Sequence, residues 1–274
     1  MRLSSLGRRE FLESMVLLGL TACAGPRVAR RAVRGAGPLF DTVAGLADAL
    51  ARGELDPHGY ARRTDAVLME LELEPDVLAG WERQGPADPG LAHNGTRVLD
   101  QRALRFAGRA GAVEAILFYT PPGVTNPPHE HHNLISIKRV LKGRYHVRQY
   151  ERVRRVEPGV IAIRQVSELV DVGPDGPCVD MTDDHRNVHW FGAIGAEPVL
   201  AFNVVAIGAL APAATFHGAR EPRPPGQYYV DPTWRPGRDG LILAPAVGPE
   251  RAAELARLPL AAFPSHLAAK DGPA

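Results

Sequence analysis

The sequence predicts a mainly β domain, a barrel or sandwich, with a helical segment packed in front of it. Three observations predict this. Apolar residues recur at helical spacing between residues 39 and 75 and at period two beyond residue 97. The period-two segments are short, and Gly or Pro clusters separate most of them. An apolar fraction of 45% over 274 residues suits a sizeable core, which rules out wholesale disorder.

In order, Asp41 is the expected N-cap of a first helix that carries Val43, Leu46, Ala47 and Leu50 on one face. Gly53 ends it. A second helix is expected to start at Asp56-Pro57, with Pro in its first turn, and to carry Tyr60, Val67, Leu68 and Leu71 until Glu74-Pro75 stops it. Residues 84–97 read as a loop. Strands are expected at 113–119, 134–140, 144–150, 159–166 and 198–207, and a last helix from Pro249 to about Leu258. No internal repeat is present.

The formal charge is +1, from 32 basic and 31 acidic residues, so no strong field attracts nucleic acid or an acidic membrane. Only residues 138, 142 and 270 are Lys; the remaining basic residues are Arg. Two cysteines exclude a disulfide scaffold.

Residues 7–23 place Arg8-Arg9 ahead of Phe11-Leu12 and a short apolar run, Met15 to Ala24. The run is far shorter than the ~20 residues that span a bilayer. The segment resembles a twin-arginine export signal, and Leu20-Thr21-Ala22-Cys23 resembles a lipobox whose Cys is acylated after cleavage. The implied location is the periplasm or cell envelope, with membrane contact only through a lipid anchor at Cys23. Cys178 is then alone in the mature domain. The expected division is a signal over 1–23, a basic linker over 24–38, a β domain with its helical segment (39–97) over 39–247, and a C-terminal helix and tail over 248–274. A monomer is expected.

The segment Pro122-Gly123 through His129-Glu130-His131-His132-Asn133 carries the chemistry. On a strand, His129 and His131 point to one face with α-carbons about 7 Å apart, close enough to share an ion. His132 and Glu130 then point the other way. A third ligand must come from a later strand. His185, His189 and His217 are the candidates, and His189 in Asn187-Val188-His189-Trp190-Phe191 is the best placed. His146 reads as a hydrogen-bonded sheet residue. Cys178 in a loop, with no placed His, reads as inert.

The spacing Gly123-x5-His129-x-His131, followed by Gly143, resembles the first motif of the cupin superfamily, whose fold is a double-stranded β-helix or jelly-roll barrel. That motif has a Glu ligand seven residues before its closing Gly; here the position is Ser136. The chain more narrowly resembles the thiol dioxygenases that include cysteamine dioxygenase and the plant cysteine oxidases. The shared segments are Leu39-Phe40-Asp41-Thr42, Pro128-His129-Glu130-His131, Gly143-Arg-Tyr-His146 with Tyr150, Asn187-Val-His189-Trp-Phe191 and Tyr228-Tyr229, spanning roughly residues 39–232. The resemblance implies Fe(2+) held by His129, His131 and His189. It also implies a reaction that adds both atoms of O2 to the sulfur of a small thiol or N-terminal cysteine, giving a sulfinic acid. Asn203 and Tyr228 are the implied catalytic pocket residues. The chain departs from the family in having Asn203 for an Asp, Ala209 for a Tyr and Gly226 for a Cys, so no Cys–Tyr crosslink can form there. Two other readings stay open at this point: a non-enzymatic metal- or ligand-binding cupin lipoprotein, and a cupin enzyme using Zn, Ni or Mn.

Overall fold

Helix α1 (Gly37–Ala51) buries Phe40, Val43, Ala44, Ala47 and Leu50, one stripe at helical spacing. It starts upstream of the expected cap, so Asp41 is an exposed residue inside the helix. Gly53, at φ 76°, takes the left-handed conformation that closes the helix, and its N–H donates to Leu50 O. Helix α2 (Pro57–Met69) begins as expected: the Asp56 side chain accepts from Gly59 N, and Pro57 fills the first position. In this computed structural model residues 37–70, 79–80, 95–106, 108–209, 226–234, 236–237 and 239–267 are described. The expected signal and anchor at Cys23, the linker, Leu71, Glu74-Pro75 and His217 lie outside these residues. No described helix is long and apolar enough to cross a membrane.

Eleven strands follow: β1 (Gly95–Phe106), β2 (Arg109–Thr120), β3 (Thr125–His132), β4 (Leu134–Lys142), β5 (Arg144–Glu157), β6 (Val160–Val172), β7 (Val179–Met181), β8 (Val188–Ile194), β9 (Val199–Ile207), β10 (Gly226–Tyr229) and β11 (Ile242–Pro245). They form two antiparallel sheets, ordered β1-β2-β9-β4-β7 and β10-β3-β8-β5-β6-β11. With β1, β10 and β11 set aside, β2-β9-β4-β7 faces β3-β8-β5-β6. Most successive strands therefore change sheet, which is the strand order of a double-stranded β-helix jelly roll.

Each sheet is covered on its outer face, and this explains the long buried runs. Ile135, Ile137, Leu200, Phe202, Val204 and Ala206 pack with α1 and α2. Arg139 of β4 also donates to the Leu68 carbonyl of α2. Outside the second sheet, helix α3 (Pro249–Leu255) and a 3-10 turn (Leu260–Ala262) bring Leu255, Leu260 and Phe263 against Trp190. The helix expected to reach Leu258 thus stops at Leu255. Between the sheets, Val140, Tyr145, Val147, Val172, Val179, Phe191, Ala193, Val199 and Ala201 form an apolar floor.

The expected strands all form, but β5 runs on to Glu157 and β6 to Val172, a long hairpin that turns at Pro158-Gly159. Gly143 turns β4 into β5 at φ 71°, and a Cβ there would lie 2.5 Å from Pro198 O. Gly143→Ala is therefore expected to destabilise by ~1–3 kcal/mol, through strain and overpacking together. A thermal melt unchanged from that of the parent would contradict the assigned turn.

Candidate metal centre

Strand alternation aims the site inward. On β3, His129 pairs with His189 of β8, and His189 pairs in turn with Gln149 of β5, so one row of the second sheet presents all three to the interior. His131 joins them from two residues along β3. The ring centroids of His129 and His189 are 4.1 Å apart, those of His129 and His131 4.8 Å, and those of His131 and His189 4.9 Å. One ligand nitrogen from each ring lies within 4.8 Å of the others, and all three residues are buried. Nitrogens sharing one ion at about 2.1 Å each stand no more than about 4.2 Å apart, so small ring rotations suffice to close the set.

The protonation chemistry suits a cation. Burial lowers His129 to about 3 against the opposing pull of the Pro127 carbonyl, and holds His131 and His189 well below the usual imidazole value. All three rings are thus neutral near pH 7. Pro127 O lies 2.7 Å from His129 Nδ1, and since a carbonyl only accepts, Nδ1 carries the proton and Nε2 keeps its lone pair. His131 Nδ1 and His189 Nδ1 are buried without a hydrogen-bond partner. Three neutral imidazoles, two of them with an orphaned buried nitrogen, are costly as bare protein and fit a bound divalent ion.

A side-chain clamp holds the two strands at this point, where the β3–β8 register shifts between Asn126 and His129. Asn187 Oδ1 accepts from His131 N at 3.1 Å, and Asn187 Nδ2 donates to His131 O at 2.8 Å, standing in for a ladder pair. Asn187→Ala is expected to weaken metal affinity about 10–100-fold while leaving the three rings in the chain. Competition against a chromophoric chelator measures this, and an unchanged affinity would remove Asn187 from the account.

Behind β3, Arg152 Nη1 donates to Glu130 Oε2 at 3.1 Å and meets His132 Nε2 at 3.1 Å, while Nη2 donates to Asp183 O at 2.6 Å. Glu130 and His132 therefore face away from the cluster, as their alternation predicts. His146 Nε2 lies 2.7 Å from Glu168 Oε1 and belongs to the outer face of the sheet. His185 sits at the surface against Glu151 and His58. Cys178 lies in the loop before β7, packed among the residues under the helices, and burial pushes its thiol up, away from nucleophilic character.

The two tyrosines fall on opposite faces, and the pocket expectation for Tyr228 is corrected. Tyr228 pairs with Glu130 and its ring meets His132 at 5.2 Å, outside the barrel. Tyr229 pairs with His129, its ring 6.2 Å from that imidazole, and burial pushes its phenol up to about 12. Asn203 lies buried on the inner face of β9, where its Oδ1 accepts from Ser136 Oγ at 2.8 Å. The position that the resembled motif fills with a Glu ligand therefore holds a hydroxyl, which donates to Asn203.

Sequence reasoning missed two inward groups. Gln149 Nε2 donates to Asp180 O, but its buried Oε1 finds no donor among the described residues. Lys138, two residues beyond Ser136 on β4, is 3% exposed, with Nζ 4.2 Å from the Phe118 ring centre and 4.0 Å from that of Phe191. Burial lowers it to about 7. Its spacing from Ser136 was the available signal, because residues two apart on a strand share a face.

No protein-family model matches the sequence, and no curated protein matches it significantly. Solved structures give distant partial likenesses. The capsular polysaccharide assembling protein CapF from Staphylococcus aureus is 18% identical over 43% of this chain and 29% of its own length, with a TM-score of 0.28. The protein TT1209 from Thermus thermophilus is 17% identical over 46% of this chain and 92% of its own, with a TM-score of 0.31. An uncharacterized conserved protein with a double-stranded β-helix domain from Klebsiella pneumoniae is 17% identical over 44% of this chain and 83% of its own, with a TM-score of 0.29. The strand order stands independently of them: the chain has the double-stranded β-helix architecture of cupins and carries inside it a buried three-histidine cluster that can hold a metal ion.

Proposed function

We propose that the chain is a metalloenzyme that oxidises a small thiol with dioxygen, RSH + O2 giving RSO2H, at His129, His131 and His189. The observation that carries the reading is the donor set: three neutral, buried imidazoles and, in place of an acidic fourth ligand, Ser136 hydrogen-bonded to Asn203. Such a set leaves a bound divalent ion its full charge, which favours an anionic thiolate over a neutral ligand. Bound ferrous iron would supply the open coordination positions and the redox chemistry that dioxygen requires.

The chain's own residues prepare that position. The Pro127 carbonyl fixes the tautomer of His129, and Asn187 fixes the backbone of His131. Phe191 packs against His189 at 4.9 Å, and together with Phe118 it presents an apolar wall that keeps bulk water from the sulfur. The Tyr229 phenol stays protonated near pH 7 beside His129, so it can donate but not act as a base.

The proposal extends to location: an exported monomer, anchored by lipid at Cys23, working in the cell envelope. Its test is anaerobic loading of the purified chain with ferrous iron, then oxygen uptake with cysteine, cysteamine and mercaptopropionate. One O2 consumed per sulfinate formed is expected with at least one of them. Bound iron without thiol-dependent uptake overturns the enzymatic reading. That outcome favours the second reading, a metal-binding cupin without turnover, which the engagement of Asn203 Oδ1 by Ser136 supports, since one of that oxygen's two lone pairs is then taken.

A further inference from the structure

Lys138 is a buried, charged group near the centre that the reaction above does not use. Its ammonium is buried between two aromatic faces, and among the described residues no carboxylate or other acceptor pairs with it. The buried carboxyl on the neighbouring inward row, Glu114, already accepts from Gln101 Nε2. Across the ladder, Lys138 faces Asn203, a neutral side chain already engaged by Ser136. Phe191 links the ammonium to the metal centre, with its ring 4.0 Å from Nζ and 4.9 Å from the His189 ring. The positive charge also acts on all three imidazoles, in each case disfavouring their protonation.

An unpaired buried ammonium is expensive and burial pushes it towards the neutral amine, whereas an arriving anion favours the charged form. We propose that Lys138 receives an anionic group, a carboxylate in the simplest case, on the molecule that enters the three-histidine centre. The inference rests on the thiol-oxidising reading and narrows its substrate class to small mercapto acids. A molecule carrying a free amine, such as cysteamine or the N-terminal cysteine of a peptide, brings a like charge towards Lys138, which faces Asn203 rather than a carboxylate across the ladder. Between the Phe118 and Phe191 rings the ammonium is screened from water, and there a charge-assisted hydrogen bond is strong.

The test measures binding without oxygen, so no turnover enters. The metal-loaded full chain and its Lys138→Met variant are titrated calorimetrically with 3-mercaptopropionate, 2-mercaptoethanol, cysteamine and propionate. With the parent protein, mercaptopropionate is expected to bind about tenfold or more tightly than mercaptoethanol, the worth of one charge-assisted hydrogen bond, and cysteamine most weakly. In Lys138→Met, with metal content unchanged, the preference for mercaptopropionate over mercaptoethanol is expected to vanish. Equal affinities for the three thiols in the parent protein, or tightest binding of cysteamine, overturn the inference without any need for the variant. A preference that survives in Lys138→Met overturns it too. Propionate binding as tightly as mercaptopropionate, and losing affinity in Lys138→Met, supports Lys138 as the anion site while counting against the thiol reading. The two claims therefore fail separately.

Discussion

His189→Ala is expected to abolish stoichiometric metal binding, the largest single effect in the molecule. The loss exceeds the 10–100-fold attached to a supporting hydrogen bond, because one of three ligands disappears and no carboxylate joins the cluster among the described residues. The same variant separates binding from folding. In the apo protein removal of the ring costs its packing against Phe191 but also takes away a buried polar nitrogen, so the metal-free variant is expected to melt cooperatively at a lowered temperature. The parent chain gains about 2.7 kcal/mol at a metal concentration one hundred times Kd, whereas the variant gains none. Calorimetric titration with and without metal checks both halves. A variant that binds one ion as tightly as the parent would place the site elsewhere.

Arg152→Ala is expected to cost about 3–5 kcal/mol at pH 8, the typical loss when one partner of a buried ion pair is removed. Arg152 holds Glu130 at 3.1 Å with both side chains nearly inaccessible, and it reaches Asp183 as well. Burial already raises the Asp183 pKa, against the opposing attraction of Arg152. Without the guanidinium, Asp183 titrates still higher in the folded chain than in the unfolded one. The folded state then binds more protons, so the variant gains stability as pH falls from neutral, and its deficit is smaller at pH 5.5 than at pH 8. Urea denaturation at the two pH values reads this directly. A deficit below about 1 kcal/mol at pH 8, the scale of an exposed pair, would show that the network is solvated. The effect also bears on the metal centre, since Glu130 separates His129 from His131 in sequence and its anchoring fixes the strand between them.

The parts of this architecture that sequence periodicity carries are those where one residue type repeats on one face. His129 and His131 at spacing two, Val43, Ala47 and Leu50 on α1, and the continuous apolar run of β9 could be read without coordinates because burial dictates their pattern. Strand β1 escaped because it is an edge strand whose side chains are mostly exposed, and β7 and β11 because three or four residues hold too little periodicity. The tyrosine pair shows a different limit. Alternation says that Tyr228 and Tyr229 face opposite ways, but the register Tyr229↔His129 decides which faces the histidines, and register is a tertiary property. Lys138 was passed over because a lysine on a strand ordinarily marks a solvated face. Here β4 is paired along both edges and packs Ile135 and Ile137 under the helices, so alternation sends the ammonium inward. Asp41 was misread as a cap because the first helix begins at Gly37, where no capping side chain announces it.

The claim beneath all of these is that three imidazole nitrogens from β3 and β8 share one ion without sulfur or a carboxylate ligand. X-ray absorption at the metal edge of the zinc-loaded full chain tests it most directly. The account predicts one ion per chain with three histidine nitrogens at about 2.0–2.1 Å and solvent oxygen completing the shell, and loss of that spectrum in His129→Ala, His131→Ala and His189→Ala alike. A sulfur scatterer near 2.3 Å, or a bound ion whose spectrum survives those substitutions, would contradict it.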